Sequence, residues 1–483
     1  MIMNKEVFLQ EIYKDNPDFN LDLISKAYDF CELAHDGQTR KSGEPYAIHP
    51  ISVALEVSRL QVDEVSIIAS LLHDVVEDTK YTREDIVREF SSEVATIIDG
   101  VTKLEKIQFK EKQRKQVEDF RKLFLAISKD VRVLIIKLCD RVHNMETIEF
   151  QSPEKQQSIA LETIEIYAPM AERIGLQKIK NKLQDMSFKI LHPVEYAEIT
   201  KKVQRLKDDF NSKNLVEEII SELIETMKRN GIEANERTIF GREKLPYSIW
   251  LKMTRKNIPF EEITDVLAFR IIVKTKEECY KALGAIHTTY NAIPGKFKDF
   301  ISIPKSNGYR SLHTKIMGWR GHQIDIQIRT QEMHDENEFG LASHWKYKQG
   351  MTREDKIKYL RATWINRVLD ILSKSETKDI LKDAKVEISE QRVIAFTDKG
   401  DVVDLPYKSS VLDFAFAIDE KLGLYFDYAI VNGQHCGISY ILQNGDKVSI
   451  YTTNKPVVNS IWLNYAITGK ARNAVIEFLS SKS

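Results

Sequence analysis

From its start to about residue 195 the chain repeats apolar residues at helical spacing almost throughout, and strand-like alternation is absent. Glycine and proline gather there in one loop, "RKSGEPYAIHP". A long segment with a period near 3.6 residues can bury its apolar stripes only helix against helix, so this part is predicted to be an all-α domain. A polar helical stretch follows, around "KKVQRLKDDFNSKNLVEEIISELIETMKRNG". From about residue 235 the texture changes. "ITDVLAFRIIV" and "HQIDIQIRT" read as strands with helical segments between and after them, which predicts an α+β domain ending near Gly350. A charged helical connector runs through roughly 352–385. Then "QRVIAFTDKGDVVDLPYKSSVLDFAFAI" reads as strand, turn, strand, helix, with "TDKGD" as the turn, and "NGDKVSIYT" adds a turn and a strand. A small β-rich module and a short helical tail are expected there. The division expected is 1–195, 196–375, 386–452 and 453–483, within the two to four domains that 483 residues suggest.

Composition removes several classes of function. The net charge is -1, so no global field draws the chain to nucleic acid or to an anionic membrane, and a basic site must be local. Cys31, Cys139, Cys279 and Cys436 are far apart with no C-x-x-C spacing, which argues against a zinc ribbon and a disulfide scaffold. The opening "MIMNKEVFLQEIYKD" has charges where a signal peptide needs an apolar core, and no apolar run nears membrane-spanning length. A cytoplasmic protein with no membrane partner is expected.

Within the helical part, "ASLLHDVVEDT" reads as one amphipathic helix. Ile68, Leu71, Leu72, Val75 and Val76 form its apolar stripe, and His73, Asp74, Glu77 and Asp78 share the other face. That face is either solvated or a metal site with carboxylates poised to activate water. Two other segments supply compatible ligands. His49 stands just before Pro50, and Asp140 follows directly on the apolar run of "VRVLIIKLCDRVHNM". Buried acids are normally paired or metal-bound. His49, His73, Asp74 and Asp140 would form a mixed nitrogen and oxygen site suited to Mn²⁺, Fe²⁺ or Zn²⁺. His35 and His143 are not needed as ligands and are expected to be structural or to support the site from outside.

A second set of residues lies in the α+β part. Arg237, Arg242, Lys244, Lys252, Arg255 and Lys256 cluster against Glu243 alone, and "GKFKDFISIPKSNGYRSLHTK" adds Lys296, Lys298, Lys305, Arg310 and Lys315. By charge these are solvated faces, a nucleic-acid patch or a phosphate site. Two carboxylates bear on the choice. In "QIDIQIR" a period of two puts the isoleucines on one face and Asp325, Gln327 and Arg329 on the other, and Asp265 opens "ITDVLAFR". Strand-borne acids beside basic clusters suit Mg²⁺-assisted phosphoryl transfer.

The His…His-Asp…Asp order resembles the HD metal-dependent phosphohydrolases. With their flanks, "RKSGEPYAIHP", "LLHDVVEDT", "GVTKL" and "CDRVHNMET" look like the hydrolase domain of the RelA/SpoT-homologue family, which makes and destroys the alarmones ppGpp and pppGpp. "GREKLPYSIWLKM", "ITDVLAFR", "NGYRSLHT", "IQIRT" and "ASHWKYK" resemble its nucleotidyltransferase-like synthetase domain, and 389–452 resembles a β-grasp TGS domain. The resemblance is to a long form without its C-terminal ACT-containing part.

By this resemblance His49, His73, Asp74 and Asp140 hold Mn²⁺. Glu77 and Asp78 position or deprotonate the attacking water. Arg40 and Lys41 meet phosphate, and Ser42, Asn144 and Thr147 contact the nucleotide. The reaction implied is removal of the 3′-pyrophosphate of (p)ppGpp to leave GDP or GTP. In the second domain Asp265 and Asp325 are the implied Mg²⁺ carboxylates, with Asp325 also a base for the ribose hydroxyl. Tyr309 stacks on guanine, and Arg242, Lys244, Lys298, Lys305 and His313 contact phosphates or the acceptor. The reaction implied is pyrophosphate transfer from ATP to the 3′-hydroxyl of GDP or GTP. The TGS resemblance implies either contact with uncharged tRNA on the ribosome or an internal relay.

Three residues depart from the family pattern. Asp325 replaces the usual Glu, Lys296 opens a loop that usually begins with Arg, and Arg310 replaces a common Gln. Two other readings therefore stand beside a bifunctional enzyme: a hydrolase with a weakened synthetase site, and a tRNA- or ribosome-binding regulator with inactive catalytic domains.

Overall fold

The computed structural model describes residues 4–60, 62–105, 113–212, 214–263, 266–304, 309–318, 323–339, 363–374, 380–388 and 392–481. Asp265, Lys305 and the block "ASHWKYK" fall outside them. The chain divides into two compact units, Met1–Arg59 with Asp63–Asp140 and Gln349–Ser483, and Leu60–Val62 with Arg141–Lys348.

The helical part of the first unit is all-α, as its periodicity predicts. Helices Ile48–Ser58, Glu64–Leu71 and Ser92–Glu105 and the helix beginning at Arg132 bury Val53, Ile67, Ile68, Leu71, Ile98, Leu134 and Leu138 together. Gly100 allows the closest approach, since a Cβ there would meet Val133 Cγ2 at 2.5 Å.

The "ASLLHDVVEDT" run departs from expectation in one respect. It is two helices, Glu64–Leu71 and the four-residue Val75–Asp78, separated at Leu72–Asp74. The apolar pattern continues through the break, which hides it in the sequence. Locally the His73 ring bonds the Ser70 carbonyl through Nδ1 at 2.7 Å, and the Val75 N–H turns back to Leu72 O at 3.1 Å. As a result His73 and Asp74 are buried, and only Glu77 and Asp78 lie on the exposed side.

The second unit carries strands β1 (Ile239–Glu243), β2 (Leu267–Val273), β3 (Asn291–Ala292), β4 (Lys298–Asp299), β5 (Leu312–Met317) and β6 (Gln323–Thr330). Their order is β1-β2-β6-β5-β3, with β4 also on β5. β2 and β6 run parallel and the other pairs antiparallel. The alternation of β6 is as read: Ile324, Ile326 and Ile328 join the core formed with helices Leu215–Arg229 and Lys276–Thr289. Asp325, Gln327 and Arg329 occupy the other face.

The C-terminal strands are β7 (Arg392–Thr397), β8 (Val402–Pro406), β9 (Phe426–Val431), β10 (Gln434–Cys436) and β11 (Lys447–Thr452), in the order β10-β9-β11-β7-β8. The expected strand, turn, strand, helix is β7, β8 and helix Val411–Ile418, whose Phe414 and Phe416 fill the core over the sheet. The predicted tail is the helix Gly469–Ser481. Among the described residues no helix is long and apolar enough to cross a membrane.

Candidate functional site

The first unit brings three of the predicted ligands into one buried group. His49, on the first turn of Ile48–Ser58, His73 at the helix break, and Asp140 each offer a donor atom, all within 4.8 Å of one another. Asp74 touches two of the three: its Oδ1 is 3.1 Å from His73 Nε2 and its Oδ2 is 3.7 Å from His49 Nε2. His49 Nε2 is 3.2 Å from Asp140 Oδ1.

The donor chemistry fits a divalent cation. A carbonyl only accepts, so His73 donates Nδ1–H to Ser70 O, and in the neutral ring Nε2 is then an acceptor facing the Asp74 carboxylate. Two acceptors meeting in a buried place call for positive charge between them. Burial drives the His49 imidazole down to about 3, so it is neutral and able to ligate at pH 7. Burial would raise the Asp140 carboxyl, but Lys137 and His49 outweigh it and hold it well below the usual range.

Two residues that the sequence reading did not single out shape this group. Lys137, one helical turn before Asp140 and itself buried, places Nζ 2.7 Å from Asp140 Oδ2. Tyr46 points its hydroxyl at Asp74 Oδ2 (2.9 Å) and at Asp78 Oδ2 (2.8 Å), linking a ligand to an exposed acid. His35 supports Tyr46 by stacking on its ring and bonds Gln38 through Nδ1, as expected of a structural group. Gln38 Nε2 in turn donates to the Asp78 carbonyl at 2.7 Å.

Arg40, Lys41 and Ser42 form the tip of a tight loop. A Thr39–Pro45 bridge closes its base, the Arg40 N–H donates to Glu44 O, and Gly43 takes a positive φ of 83° that favours glycine. Arg40 is half-buried and close enough to His49 to disfavour its charged form. Asn144 and Thr147 stand at the end of helix Arg132–Glu146 and just beyond it, in the second unit. Thr147 Oγ1 donates to His143 O at 3.1 Å.

In the second unit, strand register gathers much of the other predicted set. Directly paired residues point to the same side of a sheet. One row runs Arg242, Ala268, Asp325, Lys315, and the next runs Phe240, Arg270, Gln327, His313, Lys298. Arg242 Nη1 reaches Gln327 Oε1 at 3.5 Å, and Tyr309 Oη bonds His313 Nε2 at 2.7 Å. Lys244 is half-buried beyond the end of β1, its N–H on Val266 O. Arg310 pairs with Glu336. The sequence reading assigned no role to Arg270 or Arg329. Both are buried, contact Glu338 at 3.0 and 3.3 Å, and lie beside His334. Burial brings Arg329 down to about 10 and His334 to about 4. The face is thus rich in cations, suited to phosphate. Its one described strand carboxylate, Asp325, is in contact with Lys315 at 2.7 Å, so it is not an open ligand for Mg²⁺.

Comparison with known proteins bears on the order of the domains. Three families match the chain in order: "HD domain" over residues 27–177, "Region found in RelA / SpoT proteins" over 241–352, and "TGS domain" over 393–452. A protein of Myxococcus xanthus called GTP pyrophosphokinase is 39% identical over 474 residues, covering 97% of this chain and 61% of its own length. A probable guanosine-3′,5′-bis(diphosphate) 3′-pyrophosphohydrolase of Synechocystis sp. is 41% identical over 461 residues, 94% of this chain and 60% of that protein. A guanosine-3′,5′-bis(diphosphate) 3′-pyrophosphohydrolase of Haemophilus influenzae is 38% identical over 451 residues, 93% and 66%. The chain therefore spans less than two thirds of the length of these curated relatives.

Proposed function

Because the chain belongs to the RelA/SpoT family, we propose that it hydrolyses (p)ppGpp to GDP or GTP and pyrophosphate, and that it also transfers pyrophosphate from ATP to the 3′-hydroxyl of GDP or GTP. The observation that carries the first activity is the buried His49, His73, Asp140 group flanked by Asp74. Its mixed donors suit Mn²⁺ among divalent ions. When bound, such an ion supplies Lewis acidity that makes a water molecule a stronger acid near neutral pH.

The chain's own residues do the rest. Glu77 and Asp78, on the exposed side of this segment, position the attacking water or take its proton. Tyr46 fixes the Asp78 carboxylate relative to Asp74. Arg40 and Lys41 meet the pyrophosphate, with Ser42 on the nucleotide.

For transfer, the support is the cation-rich face of Arg242, Arg270, His313 and Lys298 within the RelA/SpoT region. Lys244, Lys298 and Lys305 neutralise phosphate charge, and Tyr309 stacks on the acceptor base. Mg²⁺ is assigned to Asp265 and Asp325, although the Lys315 contact fits that ion poorly at Asp325. The TGS module offers a surface to uncharged tRNA or the ribosome, and the setting is the cytoplasm.

Incubating the purified protein with labelled ppGpp and Mn²⁺, and separately with ATP, GDP and Mg²⁺, tests both activities. Pyrophosphate release in the first and ppGpp in the second are expected. Neither product would leave a binding regulator as the reading.

A further inference from the structure

We propose that Lys315 is a positioning residue of the transfer site, a resident cation that holds Asp325 and competes with a divalent ion for its carboxylate, so that synthesis in this chain is held below its capacity. The inference rests on the transfer reading above.

Three observations carry it. First, the β5–β6 register sets Lys315 directly opposite Asp325, so both side chains leave the sheet on the same side. Nζ stands 2.7 Å from Asp325 Oδ2. Backbone register makes the two residues cross-strand neighbours, and their side chains close the ion pair.

Second, the lysine is not a surface charge that can swing away. Its side chain is 9% exposed, whereas that of Asp325 is 26% exposed. An ammonium that leaves Asp325 would have to find another anion inside or drag its stem into water. Aspartate, the shorter acid, keeps its carboxylate close to the sheet, where a neighbour on the next strand reaches it.

Third, among the described residues this face already holds more cations than acids. Arg242 lies in the same row as Asp325 and Lys315, and Arg270, in the next row, shares Glu338 with Arg329. A lysine is not needed to balance excess acid among them. What it does is occupy one oxygen of the carboxylate and oppose, by like charge, an ion approaching the other. Mg²⁺ is the more sensitive ion to this, because it demands short bonds of about 2.0–2.1 Å and near-ideal geometry.

The test uses the full chain with Lys315→Met, which keeps the apolar stem, Lys315→Thr, a strand-compatible alternative, and Lys315→Arg, which keeps the charge. The first readout is not activity. It is the affinity for a non-hydrolysable ATP analogue measured with and without Mg²⁺. The gain in affinity on adding Mg²⁺ should be at least about tenfold larger in Lys315→Met and Lys315→Thr than in wild type, the low end of what one neighbouring charge does to a carboxylate. Lys315→Arg should resemble wild type. Initial rates of ppGpp synthesis should follow the same order.

If the neutral variants gain no more from Mg²⁺ than wild type, or bind the analogue more weakly at every Mg²⁺ concentration, Lys315 serves the phosphates or the fold and the inference is overturned. Analogue binding by none of the four proteins would overturn the transfer reading itself, and this inference with it. Normal analogue binding with an unchanged Mg²⁺ response would overturn only the role given to Lys315.

Discussion

Two lysines each approach an aspartate Oδ2 at 2.7 Å, Lys137 on Asp140 and Lys315 on Asp325. The pairs look alike and sit in different electrostatic company. Lys137 and Asp140 are three residues apart on one helix, both buried, and the second oxygen of Asp140 faces His49 at 3.2 Å. Asp74 adds a further negative charge and burial keeps His49 neutral, so the group with its lysine still attracts a cation. Lys315 and Asp325 are neighbours across strands, with Arg242 and Arg270 on the same face. There the described cations outnumber the strand acid. A lysine–carboxylate pair thus helps a metal site when further anionic and neutral donors converge on it, and opposes one when the surroundings are already positive.

The largest test of that contrast removes a ligand. His73→Ala or Asp74→Ala should lower (p)ppGpp hydrolysis by more than about 100-fold, beyond the 10–100-fold typical of residues that only support ligands. Bound Mn²⁺, read by elemental analysis, should fall with it, while ATP-dependent synthesis persists. Normal hydrolysis in Asp74→Ala would return the acidic run to a solvated face.

Asp325→Glu probes the other side. The longer side chain carries its carboxylate further from the sheet and from Lys315. Synthesis should rise, by up to on the order of 10²-fold if the carboxylate is about an ångström out of place. Hydrolysis should not change. A fall would mean that the longer chain crowds the site, and an unchanged rate would remove Asp325 from the ligand set.

A smaller effect is expected when the helpful lysine is lost. Lys137→Met should weaken Mn²⁺ binding about tenfold, as for other residues that hold a ligand. It should also move the acidic limb of the hydrolysis profile to higher pH. Lys137 holds the Asp140 carboxyl down, so without it protonation competes with metal at a higher pH. A profile that shifts the other way would contradict the charge argument.

A separate effect is on stability without metal. Burial holds His49 near 3, far below its unfolded value of about 6.5. The unfolded chain therefore binds a proton that the folded chain refuses, and stability falls as pH drops below the unfolded pKa. The loss from this group should reach about 2 kcal/mol by pH 5. His49→Asn should flatten that part of a melting-temperature profile taken from pH 7 to pH 5.

Much of this arrangement was legible in the residues. Periodicity identified the helical part and the alternating faces of β6, and the chemistry of His49, His73, Asp74 and Asp140 brought three distant segments to one place. What was hidden had physical reasons. An unbroken apolar pattern concealed the turn at Leu72–Asp74. Tyr46 sits in a loop whose glycine and prolines drew attention to its shape and not to its hydroxyl. Lys137 lies inside "VLIIKLCD", where its spacing of three from Asp140 was the available signal. The β9–β10 hairpin is announced by Asn432-Gly433, both at positive φ, a pair that marks tight hairpins. The Lys315–Asp325 contact had no such signal, because it depends on the register between two strands.

If the small loop that carries Arg40, Lys41 and Ser42 meets phosphate as proposed, its build has a consequence for substrate affinity. Its base is bridged, its interior bonds are made, and Gly43 supplies the turn before any ligand arrives. The entropy lost in ordering that arm is therefore charged to folding, and binding does not have to meet it. A floppy basic arm would surrender part of each phosphate contact to its own immobilisation. This one has only its side chains left to order, so more of each contact would remain as affinity.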